Sequence, residues 1–452
     1  MNAPVALAPH RVSHLLDHLV DETVGILAAI DELRLDAGAP KFFHCSAALC
    51  NTVALGGEAP CPRSGAASAD RQAAIAQAVM DAVAYYCAAL RTEEDEARGV
   101  LSARDAAFPL VSPSAYALFA PAQCGDPSFP WVPFDDSTPV RWKDALDPVR
   151  DELTAVPAAM VFFPYAPSAV HGEAPIAPAS TTGLACHPEP AEAALAAVCD
   201  VVECDTLALT WQARGAPPQI RIETLSDENY DLVSRFERTG ASITLFYVVT
   251  DVGLPTVLAV STHSSPTTPA RVFGAGTDPD PEHAVRKSLE SLAHAQQFCQ
   301  IVHSELPPLT RDPDHANVVD QTSHLRFWAN HAHASLADFL FGSEERLEFD
   351  RLASPMPGGA PAQLRGLCER LHAAGHRVLL ADLTSPDVNE LELTAVRAVI
   401  PGLHPLLFGH ANRALGGARL RRVPRQLGYP GVTGASGDNP VPHPFPRKGV
   451  VT

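Results

Sequence analysis

Three stretches of this chain are long, rich in alanine and periodic, yet each carries carboxylates that an apolar helix cannot bury alone. They are "ADRQAAIAQAVMDAVAYYCAAL" (69–90), "PEPAEAALAAVCDVVECDTLAL" (188–209) and "DPDPEHAVRKSLESLAHAQQF" (278–298). In the first, Ala73, Ala76, Val79, Met80, Val83 and Tyr86 fall on helical spacing around Asp81. In the second, Pro188 and Pro190 suit a first turn, and Asp200 and Glu203 lie three apart, hence on one face. Glu192 precedes Glu203 by eleven residues, nearly three whole turns, so it shares that face, while Leu195, Val198 and Val202 take the other. In the third, Asp280 is an N-cap, Pro281 sits at the first helical position, and Arg286 and Glu290 are one turn apart.

Carboxylates on buried helices are costly unless they are paired or bound to a cation. Two arrangements meet that condition. The acids can face solvent or form ion pairs, with Arg286 and Glu290 a surface pair worth about 0.3–0.5 kcal/mol. Alternatively the three helices converge, their acids hold Mg2+ and Arg286 reaches a phosphate oxygen, because Mg2+ commonly bridges carboxylates to nucleotide phosphates.

Around these helices the pattern alternates. Residues 10–33 read as an amphipathic helical stretch, residues 50–68 as a loop, and residues 107–188 as short strands and loops. "PQIRIETL", "ASITLFYVVTD" and "PTVLAVS" read as strands, the last two joined as a hairpin through "DVGLP". "GAG" (274–276) reads as a small turn before the third helix. "AQLRGLCERLHAAG" is a helix ending in glycine, followed by the strand "HRVLLADL". The fold class expected is α+β, with long helices packed on mixed or antiparallel sheets.

Composition excludes several roles. The net charge of −19 and pI of about 5.4 disfavour a nucleic-acid partner, and the short basic "RLRR" near residue 420 reads as solvated or as a tertiary contact. No apolar run reaches the roughly 18 residues of a membrane span, and the first residues lack a signal-peptide pattern, so a cytoplasmic protein is expected. The ten cysteines include no C-x-x-C pair and read as free thiols, and His331 and His333 as structural or surface groups. The common P-loop, dinucleotide, nucleophile-elbow and H-E-x-x-H motifs are absent.

Near the end, Pro440, Pro442, Pro444 and Pro446 occupy alternate positions in "NPVPHPFPRKGVVT". Proline fixes φ and removes a donor, so this segment is no helix or inner strand. It is an extended polyproline-type rod or a disordered tail.

The order of these stretches resembles the YcaO family, in the branch that forms thiazoles and oxazoles in peptides. "SADRQAAIAQAVMDAVAYYCA", "STTGLACHPEPAEAALAAVCDVVECDTLALTW" and "VFGAGTDPDPEHAVRKSLESLAHAQQF" look like its three acid-bearing helices. "DLTSPDV" and "VRAVIPGLHPLLFGHANRALGGARL" look like its C-terminal strand and Pro-Gly segment, and "HLVDETVGIL" like the start of the maturase branch. The resemblance implies an N-terminal helical, partner-facing segment over 1–60, a YcaO domain over 61–436 and a proline-rich tail over 437–452. It implies ATP bound through Glu192, Glu203, Arg286, Glu290 and Thr182, with Mg2+ on Asp81, Asp200, Glu203 and Glu290; Asp205 also matches its pattern. It implies a rod of Pro442, Pro444 and Pro446 that places the chain end near the catalytic site, while contributing little core. Arg447–Thr452 extends beyond the usual proline end. Ala84 stands where a glutamate is usual, and Tyr85 and Cys204 where arginines are.

The activity implied is that of an ATP-dependent cyclodehydratase subunit. A Cys, Ser or Thr side chain of a ribosomal precursor peptide attacks the preceding carbonyl, ATP phosphorylates the resulting oxygen, and phosphate leaves to give an azoline. The partners implied are the precursor peptide and a separate leader-binding protein related to ubiquitin-activating enzymes, in a homo-oligomer or hetero-complex. A flavin dehydrogenase can follow, oxidising azolines to azoles. The altered positions support a second reading, a non-catalytic YcaO scaffold that binds peptide or partner enzymes.

Overall fold

The computed structural model describes residues 9–446, apart from 36–37, 56–60, 94, 96–97, 117, 311, 353–354 and 430–437. Three sheets organise it. The first is β1 (Leu27–Glu32), β2 (Phe43–Leu49) and β3 (Arg63–Ser68), antiparallel in that order. The second contains β4 (Val100–Leu101), β5 (Val140–Asp147), β13 (Leu379–Asp382), β14 (Thr394–Val399) and β7 (Leu184–His187) in that spatial order, with β6 (Glu152–Pro157) paired to β5. The third runs β11 (Arg271–Thr277), β10 (Thr256–Thr262), β9 (Ser242–Val248), β8 (Gln219–Ile220) and β12 (Arg346–Leu347). Its last pair is parallel and the rest antiparallel.

Among the described residues, the α-helices of eight residues or more are α1 (Pro9–Leu19), α2 (Arg71–Ala89), α3 (Pro190–Gln212), α4 (Asp227–Glu237), α5 (Pro281–Glu305), α6 (Gln321–Ala329), α7 (Ala360–Ala373) and α8 (Arg419–Gln426). The three acid-bearing helices form as their periodicity predicts. Asp70 caps α2 by accepting from the Ala73 N–H at 2.8 Å, and Asp280 caps α5. α2 packs on β2, β3 and β7, α3 on β7, β14 and α7, and α5 on β3, β10 and β11. The fold is therefore α+β, as expected. Among the described residues, no helix is long and apolar enough to cross a membrane, and all ten cysteines are free.

Three local readings are corrected. Residues 10–33 are not one helix: after Leu19 the Asp21 carboxylate accepts from the Thr23 and Val24 N–H groups, turning the chain before β1. At Gly25 an added Cβ would lie 2.3 Å from the Asp21 nitrogen, so the turn needs glycine. "RSGAAS" is no loop but β3, whose small residues are compressed between β2 and α2, with Ser64 Oγ donating to the Ala78 carbonyl at 2.6 Å. "GAG" is no turn either; it lies in β11 under α5. A Cβ at Gly274 would sit 2.3 Å from the Leu292 nitrogen, and one at Gly276 2.5 Å from the Ser288 nitrogen. These glycines let the helix axis approach the strand and fix which side of α5 faces away. Of "PQIRIETL", only Gln219–Ile220 is strand.

Behind α3, Asp205 is fully buried and receives Arg419 in a fork, Nε to Oδ1 at 2.8 Å and Nη2 to Oδ2 at 2.7 Å. Its Oδ1 also accepts the His404 N–H at 2.7 Å. The start of "RLRR" is thus a tertiary contact. Arg419→Met would strand a buried carboxylate, and we expect a loss of about 3–5 kcal/mol in urea-unfolding free energy. Asp205→Asn combined with Arg419→Met should recover part of that loss, and additive losses would count against the pairing.

Candidate functional site

α2, α3 and α5 converge on one cavity of about 230 Å3. Asp81 and Tyr85 enter from α2, Asp200, Glu203 and Cys204 from α3, and Lys287, Glu290 and His294 from α5. The floor is the small-residue strand β3 and the Thr181–Ala185 segment; Leu406, Phe408 and Pro446 close one side. The Thr182–Gly183 turn is set by Gly183, which has φ +81° and no room for a Cβ, 2.5 Å from the Ala398 carbonyl. Its N–H donates to Asp200 Oδ2 at 2.7 Å.

The acids are held rather than solvated. Glu203 is only 4% exposed. Asp81 accepts from Gln77 at 2.9 Å, and Glu290 Oε1 accepts from Ser68 Oγ at 2.6 Å. Burial raises the Glu290 carboxyl above its usual range, against the Ser68 hydrogen bond and the charges of Arg286 and Lys287. At Asp278 burial also pushes upward, but Lys287 Nζ at 2.6 Å and His283 overcome it and hold the carboxyl well below its usual range.

The predicted site residues separate into two groups. Asp81, Asp200, Glu203, Glu290 and Thr182 line the cavity together. Glu192 does not line it. It continues the same stripe of α3 toward the helix start, where burial raises its carboxyl and Lys287 opposes that shift. Arg286 does not line it either: its Nη2 bonds Glu228 Oε2 at 2.6 Å, outside the cavity. The expected Arg286–Glu290 surface pair is accordingly replaced by an Arg286–Glu228 pair. Lys287, one position and about 100° further round the helix, takes the inward place. The stripe Lys287, Glu290, Ser291 and His294 could have shown this, had the rotation of α5 been known. Among the lining residues Lys287 is the one Lys or Arg. Tyr85 and Cys204 do line the cavity, whereas Ala84 is buried in the core. Asp205 faces Arg419 instead.

Among the described residues, no three His, Cys, Asp or Glu groups lie close enough to hold a metal by themselves. A closed protein cage for Mg2+, as the four predicted acids alone would make, is not present. Carboxylates spread over the walls suit a hard cation that takes its remaining ligands from phosphate and water.

The terminal rod is ordered and largely buried through Phe445, which overturns the disordered-tail alternative for residues 438–446. Trp211 Nε1 donates to the Val441 carbonyl at 2.9 Å, and Trp328 Nε1 to the Pro442 carbonyl at 3.1 Å. Val441 and Phe445 belong to the core around these two indoles, so the rod does supply core, contrary to expectation. Pro442 and Pro444 are buried beneath the surface of the site; Pro446 alone of the three reaches the cavity wall. The 447–452 extension and the expected boundary at 436–437 lie outside the described residues.

An acid-walled cavity between three helices, built without a glycine phosphate loop, has the chemistry that a cation-bridged phosphate would require. Residues 65–404 match the profile of the YcaO cyclodehydratases, ATP- and Mg2+-binding, and the chain belongs to the YcaO family. ATP and Mg2+ are the cofactors of this domain. A heterocyclase solved in complex with substrate and cofactor shares its fold, at TM-score 0.79 and 18% identity over 97% of this chain and 57% of that one. The chain thus spans little more than half the length of that heterocyclase. YcaO from Methanopyrus kandleri, bound with AMPPCP and Mg2+, overlays at TM-score 0.63 and 20% identity, over 88% of this chain and 92% of that one. An uncharacterised protein of Methanothermobacter thermautotrophicus is 26% identical over 275 residues, 60% of this chain and 67% of the relative.

Histidines fasten the rod. His324 on α6 donates from Nδ1 to the His443 carbonyl at 2.7 Å, while its Nε2 accepts the Gly409 N–H at 3.3 Å. That pattern requires a neutral ring. His443 Nε2 donates to the Leu407 carbonyl at 3.0 Å, and the two rings are 4.3 Å apart. Burial lowers His324 to about 4 and His443 well below its ordinary value. A depressed folded value gives stability that is complete above the unfolded value of about 6.5 and lost as pH falls toward 4. For His324, unfolding free energy should therefore drop by about 2 kcal/mol between pH 7 and 5. Urea titrations at the two pH values check this, and His324→Gln should flatten the difference.

Proposed function

We propose that this chain is an ATP-dependent cyclodehydratase subunit that forms azolines from Cys, Ser or Thr of a ribosomal precursor peptide, with the peptide delivered by a leader-binding partner. The observation that carries the reading is the meeting of four carboxylates and Pro446 around one cavity. ATP with Mg2+ supplies the phosphoryl group that turns an amide oxygen into a leaving group. Asp81, Asp200, Glu203 and Glu290 would share the holding of the cation with phosphate and water and so orient the phosphates. Lys287 leaves Asp278 to face phosphate oxygen, taking the part expected of Arg286. The rod fixes Pro446 beside the reacting amide, excluding water and holding geometry rather than moving protons. Homologous heterocyclase structures with substrate and cofactor support this reading.

The scaffold alternative draws on one observation. Tyr85 and Cys204, where the resemblance implies arginines, both line the cavity, which leaves Lys287 as its one Lys or Arg.

Calorimetry with Mg-ATP separates the two readings, binding by the wild type being expected. Glu203→Gln should abolish binding with little change in melting temperature. Lys287→Met should weaken it about tenfold or more, the range of a charge-assisted hydrogen bond. Arg286→Ala should leave affinity unchanged and alter stability by no more than about 0.5 kcal/mol. A wild type that binds no nucleotide, with partner and peptide present, would establish the scaffold.

The rod has its own test. Phe445→Ala should cost about 3–5 kcal/mol in stability through lost core. Pro446→Gly should leave the melting temperature nearly unchanged yet sharply slow heterocycle formation, followed as loss of one water per ring in the peptide mass. Equal rates for Pro446→Gly and wild type would reduce the rod to a structural strap.

A further inference from the structure

The inward stripe of α5 runs from charge to neutrality. It starts at Lys287, passes Glu290 and Ser291, and ends at His294, the one histidine among the residues lining the cavity. Seven positions at about 1.5 Å each set His294 about 10 Å along the helix from Lys287. His294 is half-buried, and its backbone is engaged within α5, so the exposed part is the imidazole.

That ring is uncommitted. It makes no hydrogen bond to any described residue, and neither of its nitrogens is among the unpartnered polar atoms closed to solvent. His44 on β2, opposite Ala67 of the cavity floor, shows the contrast: it is 3% exposed, and its Nδ1 is closed and has no partner among the described residues. Burial lowers His294 to about 4, and burial together with repulsion from His294 lowers His44 to about 3. Both rings are therefore neutral at pH 7, and the open one offers a donor and an acceptor to whatever fills the cavity.

We propose that His294 reads the base of the bound nucleotide, hydrogen-bonding the adenine edge from the far end of the stripe while Lys287 faces the phosphates. The assignment rests on the cyclodehydratase reading, in which Lys287 and the four acids engage the triphosphate and its Mg2+. A phosphate at His294 would need a cation there, and a neutral imidazole supplies none. Adenine presents N7 as an acceptor and its N6 amino group as a donor, and a neutral imidazole can answer either.

Calorimetry on the full chain with two ligands isolates the contact: Mg-ATP, and Mg-tripolyphosphate, which lacks the base. His294→Ala should weaken ATP about threefold to tenfold, the range of one neutral hydrogen bond, and leave tripolyphosphate unchanged. His294→Leu, which keeps more of the volume, replaces that variant if it fails to fold. His294→Asn and His294→Gln place an amide near the Nδ1 and Nε2 positions, and at least one of them should recover most of the loss. Lys287→Met should weaken both ligands. An unchanged ATP affinity without the imidazole, an equal loss for both ligands, or failure of both amide variants would overturn the assignment, while Mg-ATP binding by the wild type keeps the cyclodehydratase reading. A wild type that binds neither ligand, with partner and peptide present, would remove that reading and the assignment with it.

Discussion

The buried pair of Asp205 and Arg419 is the constraint on which the site depends. A carboxylate with no solvent exposure is tolerable only if its charge is matched and its lone pairs are filled, and Arg419 with the His404 N–H does both. The pair also anchors the segment that follows β14 to the back of α3. That segment delivers Leu406 and Phe408 to the cavity and the Leu407 carbonyl to His443. The front of the same helix carries Asp200 and Glu203. α3 is thus held by opposite charge behind and presents like charge in front.

What the sequence disclosed follows from local physics. Helical periodicity with a few acids on one face predicted α2, α3 and α5; the cost of burying those acids left pairing and convergence both open, and it was the resemblance to the YcaO family that implied a meeting of Asp81, Asp200, Glu203 and Glu290. The choice between Arg286 and Lys287 was not legible. Neighbouring positions on a helix differ by about 100°, and the rotation of α5 is set by Gly274 and Gly276 in a strand that read as a turn. β3 was misread for a related reason. A strand that α2 and α5 approach closely is made of small residues, and its composition imitates a loop. The N-terminal stretch was read as too much helix because its apolar residues serve α1 and then β1, with the Asp21 turn between them.

The rod shows the same limit at long range. Alternating prolines specify an extended backbone with free carbonyls, and a backbone with carbonyls to give must find donors if it is to be buried. The donors are indole nitrogens of Trp211 and Trp328, far away in sequence, so the rod's contribution to the core was not visible in the proline pattern, although its stiffness did predict docking.

That docking gives the cavity a temporal order. Its acidic walls come from helices completed by residue 305, whereas the Pro446 wall arrives about 140 residues later. Chains emerge from the ribosome N-terminal end first and fold domain by domain as they do. The acidic walls can therefore be assembled on a nascent chain well before Pro446 exists to close the cavity. The proline segment is thus a late addition to a cavity whose acidic walls are already in place, separating the moment at which those walls form from the moment at which the cavity is complete.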